Sequence, residues 1–165
     1  MNPTETHSTP QKEPSHGARL WHYVAHTARE NHDTAAAEDA YRRILEADAD
    51  DWEANFFVSC YRFLHSLPPD TDALANLYRV TEQTLPRIAS QCPAPDDRHA
   101  AVSAVSSGLF LISRTLFRTS AENPAHAQAA VDLICRFRNA VEKQLGEEYC
   151  MDIADAFEIR EAEFS

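Results

Sequence analysis

Residues 17–165 are predicted to form a single all-α domain of about seven antiparallel helices. Apolar side chains recur at steps of three and four in one segment after another. The breaks between segments carry Asp, Asn and Pro, and the 165-residue chain has only 3 glycines. A β-rich fold of this length needs tight turns, which consume glycine, so the scarcity favours helices.

The opening stretch, residues 1–16, mixes Pro, Thr, Ser, Glu and His with almost no apolar side chain. It cannot offset its ordering entropy and is expected to be a disordered tail. Leu20, Trp21, Val24, Ala25 and Ala28 then predict a helix over about 18–30. Asp33 or Thr34 is placed to cap the next one, which carries Ala36, Ala37, Ala40, Tyr41, Ile44 and Leu45 and stops near Asp48. Asp50, with Glu53 three residues later, resembles a capping box for a third helix over about 51–66. Trp52, Phe56, Phe57, Val58, Cys60, Tyr61, Phe63 and Leu64 surround that helix, and a helix without a polar face is a buried one. Pro68 and Pro69 end it.

The second half, 68–165, repeats the theme. Asp72 caps a helix through Ala73, Leu74, Leu77, Val80 and Leu85, with an interruption or kink expected at Pro86. Cys92-Pro93-Ala94-Pro95 is a connector. The longest helix, about 96–119, has Ala101, Val105, Leu109, Ile112 and Leu116 as its seam, with Phe110 and Phe117 on a neighbouring face. Asn123-Pro124 signals another start. Ala127, Val131, Ile134, Phe137, Val141 and Leu145 mark that helix, and Tyr149, Ile153, Ala156 and Phe157 a last one.

Charge narrows the partners. A formal net charge of −11 opposes long-range attraction to phosphate backbones or anionic lipid, so neither nucleic acid nor a membrane is expected. No window is read as apolar enough to span a bilayer. The first residues hold no apolar secretion core, and Cys60, Cys92, Cys135 and Cys150 show no CxxC spacing. Reduced thiols and a cytoplasmic location follow as the expectation, with Cys60 and Cys135 placed among apolar residues.

The first two helices resemble a tetratricopeptide repeat. Trp21, Val24, Ala25 and Ala28 stand at the steps where that family places its tryptophan, bulky apolar and small residues. On the second helix Ala37, Tyr41 and Ile44 match, while the family's closing Asp-Pro is Asp48-Ala49 here. The resemblance covers about 18–54, and no second full unit can be traced. It implies a repeat-like part over 17–67 at the front of a closed right-handed helical bundle. Later helices are expected to cover Phe56, Cys60 and Phe63.

In that family the exposed face of the first helix lines a peptide-binding groove. Arg19, His22, His26 and Arg29, spaced by three and four, lie on one such face here. They could grip a carboxylate or an acidic peptide, which makes a non-catalytic interaction domain the first expectation. His22 and His26 also form HxxxH, for which a third metal ligand would have to come from elsewhere, such as His32 or Asp33. Tyr23 replaces the glutamate of a metalloprotease motif, so no metal site is assigned. Ser106-Ser107-Gly108 lies in an apolar helix and reads as close packing rather than a nucleophile. Cys92 and His99 have no evident reason to converge, and no cofactor or catalytic residue is assigned. The alternative function is an apolar ligand held between the third and fifth helices among Phe56, Phe63, Phe110 and Phe117. Apolar surface on the second-half helices also allows a homodimer.

Overall fold

The structure, a computed structural model, describes residues 16–66 and 71–165. The expected tail, apart from His16, and the Pro68-Pro69 stop lie outside the described residues. Among the described residues seven α-helices follow one another: α1 (His16–Glu30), α2 (Thr34–Ala47), α3 (Trp52–His65), α4 (Thr71–Gln91), α5 (Pro95–Thr119), α6 (Ala125–Gln144) and α7 (Cys150–Glu163). One 3-10 turn, Glu147–Tyr149, precedes α7, and no strand occurs among the described residues. The chain is all-α, as its periodicity predicts.

Local chemistry sets the helix ends. His32 closes α1 in the left-handed region at φ 57°, and the Asp33 amide bonds back to the Ala28 carbonyl at 2.9 Å. That six-residue closure is a Schellman ending with histidine in the usual glycine place. Asp33 then caps α2 by accepting from the Ala36 amide at 3.0 Å. The cap of α3 is Asp51, one residue later than the sequence pattern suggests, and it accepts from the Ala54 amide at 2.8 Å. Glu53 consequently does not complete a capping box. Helix α4 runs unbroken through the exposed Pro86. The Arg98 guanidinium donates to the Cys92 carbonyl at 2.7 Å and the Ala89 carbonyl at 3.1 Å, satisfying groups that the end of α4 leaves unpaired.

Packing proceeds in chain order at the front. Helix α1 lies along α2, α2 along α3, and α3 along both α4 and α5. Ala25 and Ala37 are fully buried, so small residues let the first pair approach closely, while Tyr41 fills the space beside them. Helix α5 touches α3, α4, α6 and α7 and is the central element. Its seam, Ala101, Val105, Leu109, Ile112 and Leu116, is buried throughout. By length and composition α5 is apolar enough to cross a bilayer, which corrects the expectation that no segment is.

Phe56, Cys60 and Phe63 are buried, covered by neighbouring helices as expected. Other details differ. Leu20 and Ala36 point outward, because the α1–α2 contact is set by the alanines and Tyr41 on adjoining faces. On α6 the buried stripe is Ala130, Leu133, Phe137 and Val141, which leaves Val131 exposed. Cys135 sits on the same outward side and is exposed rather than apolar-packed.

Candidate functional site

The odd-numbered front helices meet through a polar cluster. Helix α1 presents His22, His26 and Arg29 at helical spacing, and the first turn of α3 presents Asp51 and Glu53 opposite them. Glu53 is the centre. Its Oε1 accepts from His26 Nε2 at 2.6 Å, from the Tyr41 hydroxyl at 2.7 Å and from Arg29 Nη1 at 3.3 Å. Its Oε2 lies 3.6 Å from His22 Nδ1. Asp51 divides its carboxylate between two tasks: Oδ1 caps α3, and Oδ2 accepts from His22 Nε2 at 2.9 Å. A residue that fixes the start of α3 thereby also orients a side chain of α1.

Arg29 completes the arrangement from the core side. Nη1 donates to the Tyr41 hydroxyl at 3.3 Å, and the guanidinium carbon stands 4.0 Å above the centre of the Phe57 ring. Phe57 in turn stacks on Tyr41 at 5.2 Å. The cluster is thus bonded to a rigid aromatic wall on one side and open to solvent at His26, whose side chain is 48% exposed.

Electrostatics follow from this crowding. Burial opposes a charge on His22, but Asp51 and the nearby Glu53 outweigh it and lift its pKa to about 10. Burial would likewise raise the Glu53 carboxyl; His22, His26 and the Tyr41 hydroxyl hold it well below the usual carboxylate range instead. The Tyr41 phenol is pushed up by burial and by Glu53, so it serves as a neutral donor. A carboxylate this buried keeps its charge because three donors bond its Oε1 and the His22 ring lies beside its Oε2.

Of the four basic residues expected on one binding face, His22, His26 and Arg29 bond into this cluster, with His26 still half-exposed, whereas Arg19 is exposed and has no place in it. The third group beside the HxxxH pair is Glu53, not His32 or Asp33. His32 packs 5.7 Å from Phe164, and Asp33 is occupied as a cap. Ligand atoms of His22, His26 and Glu53 lie within 4.8 Å of one another.

A cleft of about 470 Å³ opens beside the cluster. His26, Arg29, Trp52, Glu53, Asp97 and Arg160 border it, drawn from α1, α3, α5 and α7. A second, more apolar cavity of about 230 Å³ lies between α3 and α5, walled by Phe57, Tyr61, Leu111 and Phe164, with Arg29 and Arg160 at its edge. The four phenylalanines expected around such a cavity lie elsewhere. Phe56 and Phe63 are in the core, Phe110 meets Phe157 edge-on at 5.4 Å, and Phe117 is 48% exposed.

The remaining sequence candidates separate. Ser106 and Ser107 donate to the carbonyls of Val102 and Ser103 within α5, and Gly108 abuts Phe56, so this trio serves helix packing. Burial pushes the Cys92 thiol up, whereas His99 bonds Asp152 through Nδ1 at 2.6 Å and lies 4.4 Å from the Tyr149 ring. The fold and cluster together define an all-α domain with a buried, charge-compensated polar centre opening on a cleft. No protein-family model, curated protein or solved structure matches the chain.

Proposed function

We propose that the chain is a non-catalytic, tetratricopeptide-like interaction domain whose peptide groove is the cleft bordered by α1, α3, α5 and α7. The observation that carries this reading is the make-up of the cleft: four helices contribute Trp52 and groups of both charge signs to one concave surface. Mixed polarity around an aromatic anchor suits a peptide, whose backbone and side chains need several kinds of partner at once. The close α1–α2 packing at Ala25 and Ala37 supports the repeat-like assignment.

An acidic peptide is the expected ligand. Arg160 stands at the cleft, and Arg19 is exposed one turn before His22. A labelled panel of acidic peptides titrated against the full chain tests this by fluorescence anisotropy. The double variant Arg19→Glu/Arg160→Glu should bind at least about 10-fold more weakly, since reversing the cleft charge of Arg160 together with the exposed charge of Arg19 on α1 costs more than about 1.4 kcal/mol. Equal binding by the variant and the parent removes the reading.

The 230 Å³ cavity favours a second reading, a small aromatic acid held against Phe57 and Tyr61 with its carboxylate toward Arg160. Native mass spectrometry of freshly purified protein is expected to show a bound mass in that case. A ligand-free mass decides against it.

A further inference from the structure

The cluster at the head of α3 has a geometry that ion pairing alone does not require. His22 uses Nε2 to reach Asp51 Oδ2 at 2.9 Å, which leaves Nδ1 directed at Glu53 Oε2, 3.6 Å away. Glu53 is oriented in the same manner: Tyr41 and Arg29 hold Oε1 from the core side. Metal-bound histidines typically donate their second ring N–H to a carboxylate, and metal-bound carboxylates are themselves hydrogen-bonded. Both outer partners are already in place here.

The geometry points to a divalent transition-metal site of the zinc class, formed by His22 Nδ1, His26 Nε2 and Glu53 Oε2, with Asp51, Tyr41 and Arg29 as its orienting shell. Ligands of a tetrahedral zinc sit about 3.3 Å apart when bonded at about 2.0–2.1 Å. His22 Nδ1 stands 3.6 Å from Glu53 Oε2, close to that spacing, and ligand atoms of the three residues lie within 4.8 Å of one another; His26 Nε2 now bonds Oε1 at 2.6 Å, so its half-exposed ring must turn toward Oε2 to complete the set. Two imidazoles and one carboxylate form a borderline donor set suited to zinc rather than to calcium or magnesium, which prefer oxygen alone. The ion would take the place of the protons now shared between the histidines and Glu53. Three protein ligands leave at least one coordination position, on the side of the half-exposed His26 and the cleft.

This inference goes beyond the peptide groove and stands without it. Full-length protein is stripped with a chelator, desalted and titrated with zinc chloride by calorimetry in the absence of peptide. The expected result is one ion per chain with a micromolar or tighter dissociation constant. At zinc 100-fold above that constant, Tm should rise by about 5–10 °C. His26→Ala removes a half-exposed ligand and should retain the helical circular dichroism of the parent while weakening zinc at least about 100-fold; Asp51→Asn should weaken it about 10–100-fold. His65→Ala, which removes a histidine paired with Glu38 at another place on the fold, should bind as the parent does. Cobalt substituted for zinc should give the intense visible bands of a four-coordinate site without a thiolate charge-transfer band. No saturable binding, unchanged affinity in His26→Ala, or a thiolate band placing the ion on Cys135 or Cys150 overturns the proposal. The groove variant Arg19→Glu/Arg160→Glu is expected to bind zinc normally, so the two readings fail independently.

Discussion

Replacing Glu53 with alanine should destabilise the metal-free protein by about 3–5 kcal/mol, measured by urea denaturation. The carboxylate is the shared acceptor for His26, Tyr41 and Arg29, and its removal strands a cation above the Phe57 ring with its principal counter-charge gone. Much of the loss is the cost of that orphaned charge rather than the worth of the ion pair. Two further variants separate the terms. Glu53→Gln keeps an acceptor for the Tyr41 hydroxyl and should cost less than alanine does. Removing both partners in Glu53→Leu/Arg29→Met should restore most of the stability, because apolar side chains of similar volume replace a buried pair with little penalty. A loss below about 1 kcal/mol in Glu53→Ala would mean that water reaches the cluster freely.

The same residue shows where sequence reading stops. Helices α1 to α7 were legible because their signals are local: apolar residues at steps of three and four, Asp33 as a cap, the proline-rich connector before α5, Asn123-Pro124 before α6. Registers within a helix were less so. Leu20 and Val131 fit an apolar periodicity yet face outward, because the neighbours that decide the buried face lie far along the chain. The basic residues of α1 were correctly grouped on one face, but a face has no destination until α3 is placed against it.

Glu53 was invisible for a related reason. An acid in the first turn of a helix is ordinary, since it favours the helix dipole. Its partners lie 12 to 27 residues earlier in the chain. One sequence signal did point to it: α3 carries large apolar side chains on nearly every side, and a lone carboxylate on such a helix needs compensation. Three basic groups at matching spacing on α1 supply it. The offset of the α3 cap from Asp50 to Asp51 hides the link further, because only the observed cap also reaches His22.

The second large effect is expected at Gly108, on the α5 face that meets α3. A Cβ there would stand 2.8 Å from Phe56 Cε1 and 3.3 Å from Phe57 Cε1. In an exposed helix, Gly→Ala would stabilise by roughly 1 kcal/mol. Here Phe56, which makes the shortest contact, is fully buried and meets Phe57 edge-on at 5.1 Å, so its ring is held in the core even though Phe57 borders the 230 Å³ cavity. Overpacking of this kind costs about 1–3 kcal/mol, which outweighs the helix gain. Gly108→Ala should therefore lose about 1 kcal/mol, and Gly108→Val, with its branched carbon, about 3 kcal/mol by urea denaturation. Because Phe57 carries Arg29 over its face, a displaced ring should also disturb the polar cluster. The check is a shift in the His22 and His26 ring resonances of Gly108→Ala. Phe56→Leu in the same background should relieve the crowding and return both stability and resonances toward the parent. A stabilised Gly108→Ala with unmoved histidines would show instead that α3 and α5 can separate by the needed few tenths of an ångström, leaving the cluster mechanically independent of the core.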